Sequence, residues 1–283
     1  MKKINVIVNG LPGKMAQAIA SAIINSNDME LIPRSLTGPE IEIKKIIIED
    51  ISIELYNPIE RNFLLVGANP SIIIDATHPS AIEENVKFYT NNKIPFVMVT
   101  TGGDLTFIKD RVAAAGNNAV VAPNMAKEIV AFQAMMEFAA EKFPGAFEGF
   151  TLEVVESHQK TKADTSGTAR AVVTSFNELG IPFTFDQIIK KRSEEDYKAL
   201  GIPSEFWDGH GWHTYTVKKP DGNVFLQFTH NVNGRKPYID GVLDATRYLH
   251  MVEDCLLSFG CVYSMTDVLN GELKVFQEMM AEK

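Results

Sequence analysis

A glycine-bounded turn near the start of the chain constrains the fold more than any other feature. The β-branched run Ile4 to Val8 leads into Asn9-Gly10-Leu11-Pro12-Gly13-Lys14-Met15-Ala16. The spacing of Met15, Ile19, Ala22 and Ile23 then predicts a helix over Lys14 to Ile24. Strand, tight turn and helix N-terminus, in that order, make a cradle of backbone N–H groups suited to a pyrophosphate. Gly10 permits the tight turn, Gly13 keeps a Cβ away from the phosphate, and Ala16 lets the helix approach the strand. Pro12 removes one donor and fixes its own φ. A purely structural turn is the competing reading of the same run.

The remainder of the first 125 residues supports the cradle. Short apolar runs, Met29 to Ile32, Ile46 to Ile53, Ile72 to Ile74, Pro95 to Val99 and Ala119 to Val121, alternate with helical patterns. That alternation predicts an α/β, doubly wound parallel sheet. From Ala126 the texture changes. An amphipathic helix runs to Phe143, a strand carries Leu152 and Val154, and a second helix follows Gly167 and ends near Gly180. Trp212 to Lys218 and Val224 to Val232 flank Lys219-Pro220-Asp221-Gly222-Asn223, which reads as a β-hairpin. This part is expected to be α+β, with a mixed or antiparallel sheet. Val242, Ala245, Leu249, Val252, Leu256 and Phe259 keep helical spacing, so the tail is expected to pack back on the first domain. A length of 283 residues suits two domains. The division expected is a dinucleotide-binding domain over 1–125 plus 240–283, and a substrate-binding and oligomerisation domain over 126–239.

Charge narrows the partners. A net charge of −9 repels polyanions, and no Lys/Arg run is interleaved with aromatics, so neither nucleic acid nor an anionic membrane is expected. The two cysteines, Cys255 and Cys261, lack metal-ligand spacing, and no metal is expected. Met-Lys-Lys runs straight into a strand, and no apolar run is long enough for a membrane span; a cytoplasmic location is the expectation.

The second-strand region sets the cofactor expectation. A site that prefers NAD places an acid there for the ribose 2′-hydroxyl. Here Arg34, Ser35 and Thr37 precede the first carboxylate, Glu40, so a 2′-phosphate held by these groups and Lys14 is expected. NADPH is favoured over NADH. Two further loops, Asp75-Ala76-Thr77-His78-Pro79 and Thr100-Thr101-Gly102-Gly103, follow strands on the ligand-binding side and are candidates for ribose and nicotinamide contacts.

The most informative stretch is Glu156-Ser157-His158-Gln159-Lys160-Thr161-Lys162-Ala163-Asp164-Thr165-Ser166-Gly167-Thr168-Ala169. A strand delivers His158, a polar loop carries Lys162, and Ser166-Gly167-Thr168 opens a helix whose N–H groups suit a carboxylate. His158 is expected to titrate near neutrality and to give a proton as hydride arrives. Any one of these residues alone fits a structural role; the set within one short segment points to an anionic-substrate site.

These residues resemble the 4-hydroxy-tetrahydrodipicolinate (dihydrodipicolinate) reductase family of the diaminopimelate route to lysine. The wording Glu-Ser-His-Gln followed by Lys-Ala-Asp-Thr-Ser-Gly-Thr-Ala, with His210-Gly211-Trp212-His213-Thr214-Tyr215, is similar to the plant and cyanobacterial branch. The resemblance implies a Rossmann-type domain and hydride transfer from NAD(P)H to a heterocycle bearing two carboxylates. His158 matches the proton donor, Lys162 the assisting lysine, and Ser166, Gly167 and Thr168 the carboxylate grip, with Arg235 a second carboxylate contact. Gly10, Gly13, Lys14 and Met15 match the pyrophosphate contacts, Thr77, Thr101 and Gly102 those towards ribose and nicotinamide, and Pro123 and Met125 the nicotinamide loop. The chain departs from the family in three places. Gln159 replaces a second histidine, Val99 a glycine, and Pro12 a residue with an N–H.

Two rival readings stand beside this one. Another small-metabolite dehydrogenase, such as a semialdehyde dehydrogenase, needs an active-site thiol, and both cysteines lie in the tail. A non-catalytic NADPH-binding regulator needs the turn but not His158 and Lys162. A homo-oligomer, dimer or tetramer, is expected from an exposed sheet edge.

Overall fold

The computed structural model describes residues 3–162, 164–255 and 259–271. They divide into two compact units, one of 1–125 with 238–283 and the other of 126–237. The first unit begins with β1 (Ile4–Asn9), α1 (Lys14–Ile24) and β2 (Met29–Leu31). Ala16, Ile19, Ala20 and Ile23 are the buried face of α1, as their helical spacing requires. A small separate sheet follows, built from β3 (Arg34–Leu36), β4 (Lys45–Ile48) and β5 (Ile51–Tyr56) in the order β3-β5-β4. The single strand expected over Ile46 to Ile53 is thus two. Glu49 and Asp50 take φ of 47° and 65°, which folds the isoleucine-rich run into a hairpin. Then come β6 (Ile72–Asp75), α2 (Ile82–Asn91), β7 (Phe96–Met98), α3 (Leu105–Ala115) and β8 (Ala119–Val121).

The second unit opens with α4 (Lys127–Lys142), β9 (Thr151–His158) and α5 (Gly167–Glu178). It continues with β10 (Ile189–Lys191), α6 (Glu194–Leu200), β11 (His210–Lys218) and β12 (Phe225–Asn233). Its sheet, β10-β9-β11-β12, is mixed: β10 runs parallel to β9, and the other pairs are antiparallel. Strand periodicity puts Val154, Tyr215 and Phe228 on one face, where Phe176, Val172 and Val173 of α5 and Met136 of α4 pack with them. The hairpin turn closes with Gly222 at φ 77°.

Helix α7 (Lys236–Asp254) and strand β13 (Val262–Tyr263) return to the first unit, where β13 pairs in parallel with β8. Gly241 lies so close to the Met125 carbonyl that a Cβ would overlap it. Of the expected helical tail, α7 ends at Asp254, Leu256 lies outside the described residues, and Phe259 is exposed and not helical, a correction to the expected spacing. The completed sheet reads β13-β8-β7-β6-β1-β2, all parallel. Strand order reverses between β1 and β6, which opens a crevice at their carboxyl ends.

Candidate active site

Two sets of functional groups are built on these elements, one in each unit. The first lies at the crevice beyond β1 and β6. Gly10 takes φ 109° and a Cβ there would overlap the Ala76 carbonyl, so the turn after β1 and the loop after β6 meet through this glycine. Asp75, fully buried, organises both neighbouring loops. One carboxylate oxygen accepts from the Thr77 N–H at 3.0 Å, the Thr77 hydroxyl at 2.7 Å and the Thr100 hydroxyl at 2.8 Å. The other accepts from Asn85 at 2.9 Å and the Tyr89 hydroxyl at 2.7 Å. Asn9 extends this network to β3, donating to Tyr89 and accepting from the Leu36 N–H.

Beside the turn is a cleft of about 640 Å³, lined by Gly10, Gly13, Thr37, Glu40, Arg61, Thr77 and His78 among others. It fits a dinucleotide on two observations. The helix N-terminus of α1 carries no acidic residue and no side-chain cap, and the buried Thr37 hydroxyl has no hydrogen-bond partner.

Several expected contacts are corrected here. Arg34 does not reach the cleft; its guanidinium donates to the carbonyls of Leu64 at 3.2 Å and Val66 at 2.5 Å, closing the end of the 3-10 helix Pro58–Leu65. Ser35 is fully buried, accepting from the Leu11 N–H at 3.3 Å and donating to the Leu36 carbonyl, so it shapes the turn. Thr77 spends its hydroxyl on Asp75. Met125 is 2% exposed, a core residue. Lys14, Gly102, Thr101 and Pro123 are exposed and Met15 half-buried. Sequence reasoning missed Arg61, which lines this cleft; its terminal nitrogens donate to the Glu84 carbonyl at 3.2 Å and to Asn85 at 3.1 Å, and its buried Nε has no partner. Val99 fits without strain, since its φ is negative and its N–H reaches the Asp75 carbonyl at 2.8 Å.

The second set stands at the end of β9. Glu156, Ser157 and His158 are all buried. Glu156 is paired with Arg192, and its other oxygen accepts the Ser166 N–H at 3.0 Å. One buried carboxylate therefore ties the strand end to the start of α5, and one of the N–H groups expected for a ligand is already used. Arg192 also reaches the carbonyls of Lys162 at 2.9 Å and Glu156 at 3.1 Å. It holds the whole loop, and sequence reasoning missed it. The signal was available: a strand reading Glu-Val-Val-Glu-Ser-His puts Glu156 on the same face as Val154, and a buried acid requires a cation.

His158 departs from expectation. Its pKa is lowered to about 3, first by burial and then by the positive charges of Arg192 and Lys162. The ring is therefore neutral at pH 7 in the free protein. Its backbone carbonyl is held by the Tyr197 hydroxyl at 2.9 Å, and Ser157 is held by His210 at 2.9 Å. Lys162 pairs with the exposed Asp164 at 2.9 Å, an exchangeable partner. Ser166 is buried and caps no N–H with its side chain. Gly167 starts α5, followed by Thr168. Arg235 rests against Gly209 and has no ion-pair partner among the described residues. Potential ligand atoms of Glu156, His158 and His213 lie within 4.8 Å of one another.

Comparison with known proteins decides the family. The profile of the dihydrodipicolinate reductase N-terminus matches residues 4–125, and that of its C-terminus matches 128–269. The chain belongs to the dihydrodipicolinate reductase family. Among its relatives, a probable 4-hydroxy-tetrahydrodipicolinate reductase 1, chloroplastic, of Oryza sativa subsp. japonica is 40% identical over 250 residues, 87% of this chain and 73% of that one. The 4-hydroxy-tetrahydrodipicolinate reductase 1, chloroplastic, of Arabidopsis thaliana is 38% identical over 271 residues, 94% of this chain and 78% of that one. These agree with the plant-like wording of the 156–169 segment. A dipicolinate-bound dihydrodipicolinate reductase from Paenisporosarcina sp. TG-14 shares the fold at a TM-score of 0.65 and 20% identity, covering 94% of this chain and 99% of that one. As a dihydrodipicolinate reductase family member, the chain is an oxidoreductase with a Rossmann-type first unit. Among the described residues, no helix is long and apolar enough to cross a membrane.

Proposed function

We propose that this chain reduces 4-hydroxy-tetrahydrodipicolinate, in its dehydrated form, to tetrahydrodipicolinate in the diaminopimelate route to lysine. The observation that carries the reading is the Glu156 bridge, which joins the strand end bearing His158 to the first turn of α5. NAD(P)H, when bound, supplies the hydride. The N-terminus of α5 at Ser166, Gly167 and Thr168 receives one ring carboxylate, and Arg235 the second. Lys162 exchanges Asp164 for the substrate. Burial and the Arg192 and Lys162 charges hold His158 neutral; the arriving negative charge opposes both, so the ring takes up a proton on binding and can then deliver it.

For the cofactor we favour NADPH, with Thr37 and Arg61 at the 2′-phosphate, since Arg34 and Ser35 are engaged elsewhere. The orphaned Thr37 hydroxyl and Arg61 Nε support this. Glu40 in the same cleft favours the 2′-hydroxyl of NADH, so Arg61→Ala should raise KM for NADPH and Glu40→Ala should raise it for NADH. The 1–125 plus 238–283 unit is read as the cofactor domain and 126–237 as the substrate and oligomerisation domain. Edge strand β12, with Phe225 57% exposed, supports a homo-oligomer, dimer or tetramer, which sedimentation would detect. The free thiols Cys255 and Cys261 support a reducing compartment such as the cytoplasm.

The test is an absorbance assay at the nicotinamide band with each cofactor. Substrate is generated from pyruvate and aspartate semialdehyde by a coupling synthase. Cofactor oxidation that depends on the synthase supports the reading; none with either cofactor replaces it with the non-catalytic regulator.

A further inference from the structure

Buried ring nitrogens without hydrogen-bond partners cluster in the second unit: Nδ1 of His158, both nitrogens of His213 and Nδ1 of His230. Strand register explains why they meet. His213 on β11 lies opposite Glu156 on β9 and opposite His230 on β12, so the three side chains form one row across the helix-covered face. His158, two residues beyond Glu156, points to the same face. The His213 ring stands edge-on to His158 at 5.0 Å and stacks on His230 at 4.6 Å. Its Nε2 is 3.9 Å from the Glu156 carboxylate.

Unpaired buried polar atoms are costly, and native proteins keep them where a working state pairs them. A metal ion is one way to pair these. However, the Arg192 charge paired with Glu156 opposes a second cation, whereas each Glu156 oxygen keeps a lone pair for a neutral N–H donor. A hydrogen-bond chain needs the His213 ring to close the 3.9 Å between its Nε2 and Glu156 and to turn its Nδ1 towards the His158 ring, whose centre is 5.0 Å away.

We propose that His213 is a positioning residue that links the Glu156 carboxylate to His158 and fixes His158 as its Nδ1–H tautomer. The inference rests on the reading of His158 as the proton donor. A neutral imidazole has one donor and one acceptor. The Nε2–H of His213 donates to Glu156, and its Nδ1 accepts the Nδ1–H of His158. Nε2 of His158 then takes a proton from solvent when a dicarboxylate binds and gives that proton to the ring, while Nδ1–H stays in place. The other charged or titratable groups around His158 are Arg192, Lys162, Asp164 and His210; none of them holds its Nδ1.

Two measurements test this. In His213→Leu, kcat should fall at least about tenfold with KM for the cofactor unchanged. The alkaline limb of the pH–rate profile, where the proton donor is lost, should move to lower pH, because the His158 imidazolium loses its acceptor. His213→Gln, which keeps a donor and an acceptor, should recover part of the loss. A folded His213→Leu with unchanged kcat and pH profile overturns the proposal. The second readout needs no stable variant at position 213 and no turnover: a nitrogen-15 correlation spectrum of the wild-type imidazoles, with His158 assigned by its loss in His158→Gln. The Nδ1–H tautomer is expected, and the Nε2–H tautomer overturns the inference even in an active enzyme. A chain that reduces nothing refutes the proposed function and leaves this spectrum to decide the tautomer.

Discussion

Arg192 makes a buried Glu156 tolerable. The carboxylate is fully buried and the guanidinium 17% exposed, so removing the cation leaves an uncompensated charge in the sheet. Arg192→Met should cost about 3 kcal/mol or more of stability in denaturant unfolding. It should also loosen the Lys162 loop, whose carbonyl Arg192 holds. His158 gives a second prediction at this scale. Because burial and nearby cations hold its pKa at about 3, binding of a non-reactive pyridine dicarboxylate should draw in protons near pH 6.5. Calorimetry in buffers of different ionisation enthalpy reads that uptake directly, and no dependence on buffer would show that His158 stays neutral in the complex.

At the scale of elements, the Gly10 turn is the most exposed to a single change. Gly10 combines φ 109° with a Cβ position already filled by the Ala76 carbonyl. Gly10→Ala should therefore destabilise the first unit by more than about 2 kcal/mol in thermal or denaturant melts and abolish cofactor binding. Elements with strong periodicity were legible in the sequence. Helix α1 over Lys14–Ile24 and the strands flanking Lys219-Pro220-Asp221-Gly222-Asn223 follow from apolar spacing and turn chemistry. The hairpin inside Ile46 to Ile53 was not, because two acidic residues at positive φ leave no glycine or asparagine as a marker. The candidate site divides the same way. His158, Lys162 and the start of α5 lie in one contiguous segment, whereas Arg192 and His213 reach it only through strand pairing and tertiary folding. Arg34 misled for a related reason: sequence distance from the turn says nothing about which carbonyls a long side chain will find.

Across the whole molecule, the buried histidines make stability depend on pH. Burial lowers His230 to about 4 and His158 to about 3, and lowers His210 and His213 as well. Each binds its proton more readily unfolded, near pH 6.5, than folded. Their contribution is therefore fully present above pH 6.5 and is lost as pH falls through the folded values, by a few kcal/mol. Carboxylates held low by partners, such as Asp196 at about 2 beside Lys191, act in the same direction at more acid pH. Melting temperature should fall steadily from pH 7 to pH 4, and a flat profile would mean the histidines are not buried as described. In the proposed reaction the Gly10 cradle and the buried proton donor His158 serve one reduction. The most direct test is turnover of His158→Ala in the coupled assay, with cofactor affinity measured alongside. Turnover should fall at least about tenfold with cofactor affinity unchanged; turnover equal to that of the wild type would rule His158 out as the proton donor.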